Sequence, residues 1–122
     1  MDCANGVGAL KLKRIAEECK IKVEICNDGT GGALNFQCGA DFVQKEKKLP
    51  AGVCRETLKG RKVASLDGDA DRLVYLTSSA ADEVELYDGD KIAALFSLHI
   101  QVFLYREGCK PMESLHSLLF LD

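Results

Sequence analysis

Tryptophan is absent from this 122-residue chain, and aromatic residues make up only 7% of it. Clusters of positive charge are missing as well: 16 lysines and arginines are scattered among 19 acidic residues, which leaves a formal net charge of −3. Proteins that bind nucleic acids use basic patches, and those that bind single strands also use aromatic side chains for stacking. Because the chain has neither feature, we expect no nucleic-acid partner.

Long apolar runs are also missing. The longest, residues 92–105, is shorter than the roughly 20 residues that span a bilayer, and it contains His99 and Gln101. It predicts a helix and not a membrane span. No targeting signal is evident, so we expect a cytoplasmic protein without a membrane partner. The remaining composition, 47% hydrophobic and 29% charged, is typical of one globular domain.

The cysteines lack the arrangements that indicate disulfides or zinc. They stand at positions 3, 19, 26, 38, 54 and 109, without a Cys-x-x-Cys pair and without a secretory signal. Several occupy apolar positions of predicted elements, where a free thiol behaves as a small hydrophobe. Zinc sites need paired ligands, and neither His99 nor His116 belongs to such a pair. We therefore expect free thiols and no zinc.

Hydrophobic periodicity predicts a domain of mixed helices and strands. Apolar residues recur at helical spacing from Leu12 to Cys19, after a small-residue turn at 4–8. The pattern also predicts strands over 21–25, 63–66, 73–76 and 84–87, a hairpin connection at 78–82, and helices over 41–47 and 90–105. This order favours a three-layer α/β domain with a mixed sheet of about four strands, antiparallel after residue 66.

Both ends of the chain look incomplete. A helix that opens with a glycine turn normally follows a strand, and the chain has no room for one before Asp2. We therefore expect a domain over 1–105 whose first strand is missing, followed by a divergent tail over 106–122. The tail ends in an apolar run, 118–121, that needs a partner surface. Association through such exposed apolar ends is the alternative function that we consider: a non-catalytic, truncated module that binds a full-length relative or another protein.

Three aspartates carry the main chemical signal. Asp67, Asp69 and Asp71 alternate between two predicted strands, with only Gly68 and Ala70 between them. Two carboxylates about 4 Å apart repel by roughly 4 kcal/mol at an effective dielectric constant of 20. Three that converge in a tight loop therefore favour a bound cation, and ligands that are all oxygen favour magnesium. Turn-forming residues without a metal remain the structural alternative.

Two other kinds of aspartate-rich site are excluded, because residues that they require are absent from the corresponding positions of this loop. An EF-hand needs glycine at its sixth position and glutamate at its twelfth, which from Asp67 are Arg72 and Ser78. A dehalogenase-type phosphatase needs Asp-x-Asp-x-Thr or Val, and neither Asp67 nor Asp69 starts that pattern. The glycines at 29, 31 and 32 are best explained by backbone turns.

The sequence Asp67-Gly68-Asp69-Ala70-Asp71-Arg72 resembles the metal loop of the α-D-phosphohexomutases. Segments 2–8, 34–45 and 88–93 are similar to the phosphoacetylglucosamine mutase branch of that family, so that four separated segments agree in order. The family has four domains, and the chain resembles the second, a three-layer αβα domain of the phosphoglucomutase type. The resemblance covers roughly residues 2–100.

The resemblance implies an isomerase of carbohydrate metabolism, an intramolecular phosphotransferase. Its substrates would be N-acetylglucosamine 6-phosphate and 1-phosphate, on the route to UDP-N-acetylglucosamine. A phosphoserine of another domain would donate its phosphoryl group to give a bisphosphorylated sugar. Magnesium would sit on Asp67, Asp69 and Asp71, and Arg72 is the candidate catalytic residue, holding a phosphoryl oxygen or orienting the aspartates. The family's serine loop, Thr-Ala-Ser-His-Asn-Pro, has no match here, so we expect the isolated chain to be inactive.

Overall fold

The computed structural model describes residues 1–58, 61–78 and 84–108. The chain divides into two compact units, Met1–Asp88 and Gly89–Asp122. Among the described residues, the first unit contains helices α1 (Gly8–Glu18), α2 (Gly39–Glu46) and α3 (Arg55–Leu58) and strands β1 (Val63–Leu66), β2 (Leu73–Ser78) and β3 (Val84–Tyr87). The second contains helix α4 (Gly89–Arg106). The predicted α/β class is therefore confirmed.

The three strands form one antiparallel sheet in the order β1-β2-β3. In the first pair Leu66 lies opposite Leu73, so the chain between these residues is a short connection at one end of the sheet. In the second pair Tyr75 lies opposite Tyr87, and the two rings meet edge to face at 6.2 Å. The antiparallel arrangement after residue 66 agrees with the sequence prediction, and it places the three aspartates in the β1–β2 connection.

The strand predicted over 21–25 is not formed. Only the next residue, Cys26, takes part in a bridge, which is parallel to Asp2, and Asp2 forms a second parallel bridge to Ser65 of β1. The hydrogen bonds between this segment and Met1–Cys3 involve only Glu24 and Cys26, too few for a continuous strand. The prediction of about four strands in a mixed sheet is thus not confirmed: three strands and two parallel bridges are present in the described residues.

The core of the first unit lies between α2 and the sheet. Ala40 and Val43 of α2 cluster with Val63, Val74 and Leu76, all nearly inaccessible to solvent. The helix begins two residues before the predicted start, at Gly39, whose φ of +88° is a conformation that favours glycine, and Lys47 ends it in the left-handed region. This packing fixes the start of α2 against the end of β1, next to the three aspartates.

Of the remaining predicted elements, two helices are formed, and other segments lie outside the described residues. The helices predicted near 12–19 and 90–105 correspond to α1 and α4. Within the described ranges, no helix combines the length and the apolarity that crossing a bilayer would require. Most of the predicted hairpin connection and residues 109–122 of the predicted tail lie outside the described residues, so the division into a domain over 1–105 and a tail stays a prediction.

The described cysteines (Cys3, Cys19, Cys26, Cys38 and Cys54) are free thiols.

Candidate metal centre

The loop of the three aspartates is a tight connection between β1 and β2. The N–H of Asp67 donates to the carbonyl oxygen of Arg72 at 3.3 Å. The N–H of Ala70 donates to the carbonyl oxygen of Asp67 at 3.1 Å. Ala70 has a φ of +63°, which reverses the chain between the second and third aspartates. The short loop thereby holds all three carboxylates at one end of the sheet.

A second turn of the chain supports this loop from outside. The N–H of Val7 donates to the carbonyl oxygen of Gly68 at 3.0 Å, just before α1 begins. The two backbones approach so closely that a β-carbon on Gly6 would lie 2.1 Å from the Gly68 oxygen. Glycine is therefore required at position 6 for steric reasons, a role that differs from the phosphate contacts often made by glycine-rich turns.

The three predicted ligands come together in the structure. One carboxylate oxygen from each of Asp67, Asp69 and Asp71 lies within 4.8 Å of the other two. Asp67 is buried at the end of β1, whereas Asp69 and Asp71 are exposed. Two ligands on opposite sides of a magnesium ion are about 4.2 Å apart, since each bond is about 2.1 Å. Small side-chain rotations would thus suffice to bring the three carboxylate oxygens within bonding distance of such an ion. The solvent-facing side of the ion would remain open to further ligands.

The close approach of the three carboxylates changes their pKa values. A hydrogen bond shared with Asp67, together with the negative charge of Asp69, raises the pKa of Asp71 above its ordinary value. Burial acts to raise the pKa of Asp67 too, but hydrogen bonds from the backbone N–H and the guanidinium of Arg72 outweigh it and lower that pKa. Arg72 therefore neutralises only part of the negative charge of the three carboxylates. The negative charge that remains favours a bound cation.

Arg72 is held between two carboxylates. Its Nε donates to Asp67 at 2.7 Å and its backbone N–H to the other oxygen of Asp67 at 3.1 Å, while a terminal nitrogen donates to Asp41. These two carboxylates raise the pKa of Arg72, Asp41 foremost. Of the two roles expected for Arg72, its contacts match that of orienting an aspartate.

Asp41 is a site residue that sequence reasoning missed. It lies in the first turn of α2, where its second oxygen accepts from Lys45 at 2.9 Å. Hydrogen bonds from Lys45, and then from Arg72, lower the pKa of Asp41. The sequence shows only an Asp–Lys pair four residues apart on a helix, which commonly has no role beyond the helix itself. Its contact with Arg72 depends on the packing of α2 on β1.

Asp2 is a second residue whose role the sequence did not reveal. Its carboxylate is fully buried and accepts four hydrogen bonds, from the Ala4 N–H (3.0 Å), the Asn27 amide (2.9 Å), the Gly39 N–H (2.8 Å) and the Ser65 hydroxyl (2.8 Å). It thereby ties the start of α2 to β1, two residues before Asp67. Four donors compensate the cost of burying a carboxylate for which the part of the chain that the structure describes supplies no cationic side chain.

Comparisons with known proteins agree with the motifs. Residues 1–74 match the family described as "Phosphoacetylglucosamine mutase AMG1, domain II". Over 110 residues the chain is 46% identical to the phosphoacetylglucosamine mutase of Mus musculus, which covers 88% of this chain and 20% of the mouse protein. Over 105 residues it is 51% identical to that of Arabidopsis thaliana, which covers 83% of this chain and 19% of the plant protein.

Solved structures agree as well. The chain matches Aspergillus fumigatus N-acetylphosphoglucosamine mutase in complex with GlcNAc-6P and magnesium with a TM-score of 0.76 and 36% identity, over 88% of this chain and 21% of the fungal one. An N-acetylglucosamine-phosphate mutase of the alpha-D-phosphohexomutase superfamily, in its substrate complex, matches with a TM-score of 0.75 and 38% identity, over 85% and 20% of the two chains. The chain spans about a fifth of the length of these relatives.

Proposed function

Because this chain belongs to the phosphoacetylglucosamine mutases, within the α-D-phosphohexomutases, we propose that it supplies the metal-binding domain of such an enzyme. The observation that carries the proposal is the convergence of three carboxylate oxygens within 4.8 Å at the end of β1. The reaction would be the interconversion of N-acetylglucosamine 6-phosphate and 1-phosphate, through a phosphoserine and a bisphosphorylated sugar. The domain would have the three-layer αβα form of the phosphoglucomutase type.

The donor set suits magnesium. Asp67, Asp69 and Asp71 offer only carboxylate oxygen, the ligand that this hard cation prefers, and two of the three side chains are exposed. A relative with 36% identity has been solved with magnesium and GlcNAc-6P. When bound, the cation would neutralise negative charge on the phosphoryl oxygens, the main requirement of phosphoryl transfer.

The chain's own residues would position this site. Arg72 would hold Asp67 in place through two hydrogen bonds, since its guanidinium and backbone N–H bond to different oxygens of that carboxylate. Asp41 would hold the guanidinium from the other side and so limit its rotation. Because Arg72 is half exposed, its remaining N–H groups could also meet a phosphoryl group that approaches from outside.

The chain alone would not turn over substrate. It spans about a fifth of its relatives, and no serine in it stands in the context Thr-Ala-Ser-His-Asn-Pro. We therefore place it as one of several domains that must act together, in which this one contributes the metal ligands and Arg72.

Metal binding provides the direct test. Calorimetric titration of the chain with MgCl2 should give one site per chain. Asp69→Asn should lower the magnesium affinity at least about tenfold, since mutation of residues that only hydrogen-bond to a metal ligand already costs that much. Asp28→Asn is the matched control, because it removes a half-buried carboxylate that lies outside the trio. Equal affinity for both variants and the wild type would contradict the assignment of these ligands.

Activity is tested in a full-length context. In a chimera, residues 1–105 of this chain replace the matching segment of the mouse enzyme, and mutase turnover is assayed with a glucose bisphosphate primer. We expect activity in the chimera and none after Asp69→Asn, with the fold retained by circular dichroism. Sustained turnover by the isolated chain would refute its proposed dependence on other domains.

A further inference from the structure

The position of the proposed metal ligand Asp67 depends on two elements of the first unit. Asp67 lies directly after β1, and Arg72 holds its carboxylate through two hydrogen bonds. Arg72 is held in turn by Asp41, which stands in the first turn of α2. The geometry of this ionic contact therefore depends on how α2 is set against the end of β1.

A single oxygen of the buried Asp2 carboxylate joins these two elements. Its Oδ2 accepts a hydrogen bond from the Gly39 N–H and another from the Ser65 hydroxyl, both at 2.8 Å. Gly39 begins α2 and stands two residues before Asp41. Ser65 belongs to β1 and stands two residues before Asp67. The bridge thus lies next to both carboxylates of the ionic contact.

Strand geometry explains why these contacts follow one another along β1. Alternate residues of a strand point to the same face of the sheet. On the face toward α2, Val63 belongs to the core cluster that includes residues of this helix. Two residues on, Ser65 bonds to Asp2, its parallel bridge partner, whose side chain therefore stands on the same face. After two more residues, Asp67 bonds to Arg72. Apolar packing, the Asp2 bridge and the ionic contact thus join α2 to β1 in succession.

The other oxygen of Asp2 fixes the orientation of the carboxylate. Its Oδ1 accepts from the Ala4 N–H at 3.0 Å and from the side-chain amide of Asn27 at 2.9 Å. Asp2 has no accessible surface, so water cannot replace any of its four donors. The carboxylate therefore cannot rotate without losing at least one hydrogen bond, and the place of Oδ2 between the two elements is fixed.

The chemistry of this bridge favours a geometric role. A carboxylate is costly to bury, and the described residues bring no cationic side chain to Asp2. Apolar side chains of similar volume commonly hold two elements together at a lower cost. A polar group with every partner in place, in contrast, fixes one arrangement of those partners.

We propose that Asp2 is a positioning residue of the metal centre. By fixing α2 against β1, its carboxylate sets the distance between Asp41 and Asp67. Arg72 can then bond to both and hold Asp67 in place for the cation. This inference rests on the magnesium site proposed above, and it adds a residue that lies outside the metal loop and acts through Arg72 without bonding to it.

Removal of the Ser65 hydroxyl tests the bridge with a small change. Ser65→Ala takes away one donor to Oδ2 and leaves the other three donors in place, whereas Asp2→Asn would set a new donor against them and risk unfolding. In the full 122-residue chain, Ser65→Ala should speed the exchange of the Arg72 Nε–H in NMR spectra. It should also weaken magnesium binding at least about threefold by calorimetry, within the range of effects that coupled residues have on a distant site. Circular dichroism checks that the variant is folded.

Tyr75→Leu is the control for a general loss of stability. Tyr75 alternates with the core residues of β2 and so lies on the sheet face away from α2, where its ring meets that of Tyr87. Loss of this ring contact and loss of one hydrogen bond lower stability to a similar degree, so the two variants should have similar urea midpoints. Tyr75→Leu should leave the Arg72 exchange rate and the magnesium affinity within about twofold of the wild type.

A double-mutant cycle tests whether the effect passes through Asp41. Asp41→Asn alone should weaken magnesium binding, because Arg72 loses one of the two carboxylates that hold it. Adding Ser65→Ala to Asp41→Asn should then weaken binding further by less than about twofold, since the contact that the bridge positions is already lost.

Three results would overturn the proposal: an unchanged Arg72 exchange rate in Ser65→Ala, effects no larger than those of Tyr75→Leu, or an equal effect of Ser65→Ala with and without Asp41. Absence of magnesium binding by the wild-type chain would instead refute the metal site proposed above. In that case the exchange rate still decides the positioning of Arg72: faster exchange in Ser65→Ala supports it, and unchanged exchange contradicts it.

Discussion

Replacement of Gly6 by alanine should disrupt the support of the metal loop. The new β-carbon would lie 2.1 Å from the Gly68 oxygen and 2.6 Å from the Gly68 α-carbon. Both are backbone atoms of a buried residue, so they cannot rotate away as the end of a side chain would. The loop must shift, and the 3.0 Å bond from the Val7 N–H to the Gly68 oxygen must break or lengthen.

The expected loss of stability follows from these two effects. Forcing a methyl group into a filled space costs about 1–3 kcal/mol, and a lost hydrogen bond costs about 1 kcal/mol more. We therefore expect the free energy of unfolding to fall by about 2–4 kcal/mol. With a urea slope of about 2 kcal/mol per molar, the midpoint should decrease by about 1–2 M at unchanged slope.

Gly31→Ala is the matched control for this experiment. Gly31 also lies in a loop, but a β-carbon there would meet nothing within 4 Å. This variant should be unchanged or more stable by up to about 1 kcal/mol, because alanine restricts the unfolded chain. Urea unfolding followed by circular dichroism compares the two. If Gly6→Ala is within about 0.5 kcal/mol of Gly31→Ala, the close approach of Gly6 and Gly68 is wrong.

Three further changes test other contacts. Asp2→Asn replaces an acceptor of the buried network by a donor and should lower the unfolding free energy by about 2–4 kcal/mol in urea, whereas Glu17→Gln, at an exposed position of α1, should not. Asp41→Asn should loosen Arg72, seen as faster exchange of its Nε–H in NMR spectra; an unchanged rate would exclude a role for Asp41 in holding it. Hydrogen bonds from Thr30 lower the pKa of Asp28, so Thr30→Val should raise that pKa in an NMR titration. The stability that Asp28 contributes is present above its unfolded-state pKa and is lost as the pH falls through the lower folded-state pKa, and Thr30→Val should reduce it.

Local patterns in the sequence were sufficient to predict most of the elements and the place of the candidate site. The alternation of Asp67, Asp69 and Asp71 between two apolar runs predicted a loop between strands, and that loop is present. Helical spacing predicted α1, α2 and α4. These predictions succeed because hydrophobic periodicity and turn chemistry act over a few residues, so that the information lies within the segment itself.

The prediction of a strand over 21–25 failed for the opposite reason. Its alternating residues favour a strand, but a strand also requires a neighbour with which to form hydrogen bonds. In the described residues, the hydrogen bonds between this segment and Met1–Cys3 involve only Glu24 and Cys26. Side-chain preference alone therefore cannot decide whether such a segment becomes a strand.

The sequence by itself determined the family and the three carboxylates that we propose as metal ligands. Only the tertiary structure decided what holds those ligands in place. Asp41 reaches Arg72 across 31 positions of the chain, and Asp2 reaches Ser65 across 63. Neither pair shows a local pattern, because the first contact exists only once α2 has packed on β1, and the second only once the segment around Asp2 has paired with β1. Short-range chemistry can be read from neighbouring residues, whereas contacts between distant residues depend on the packing of the whole unit.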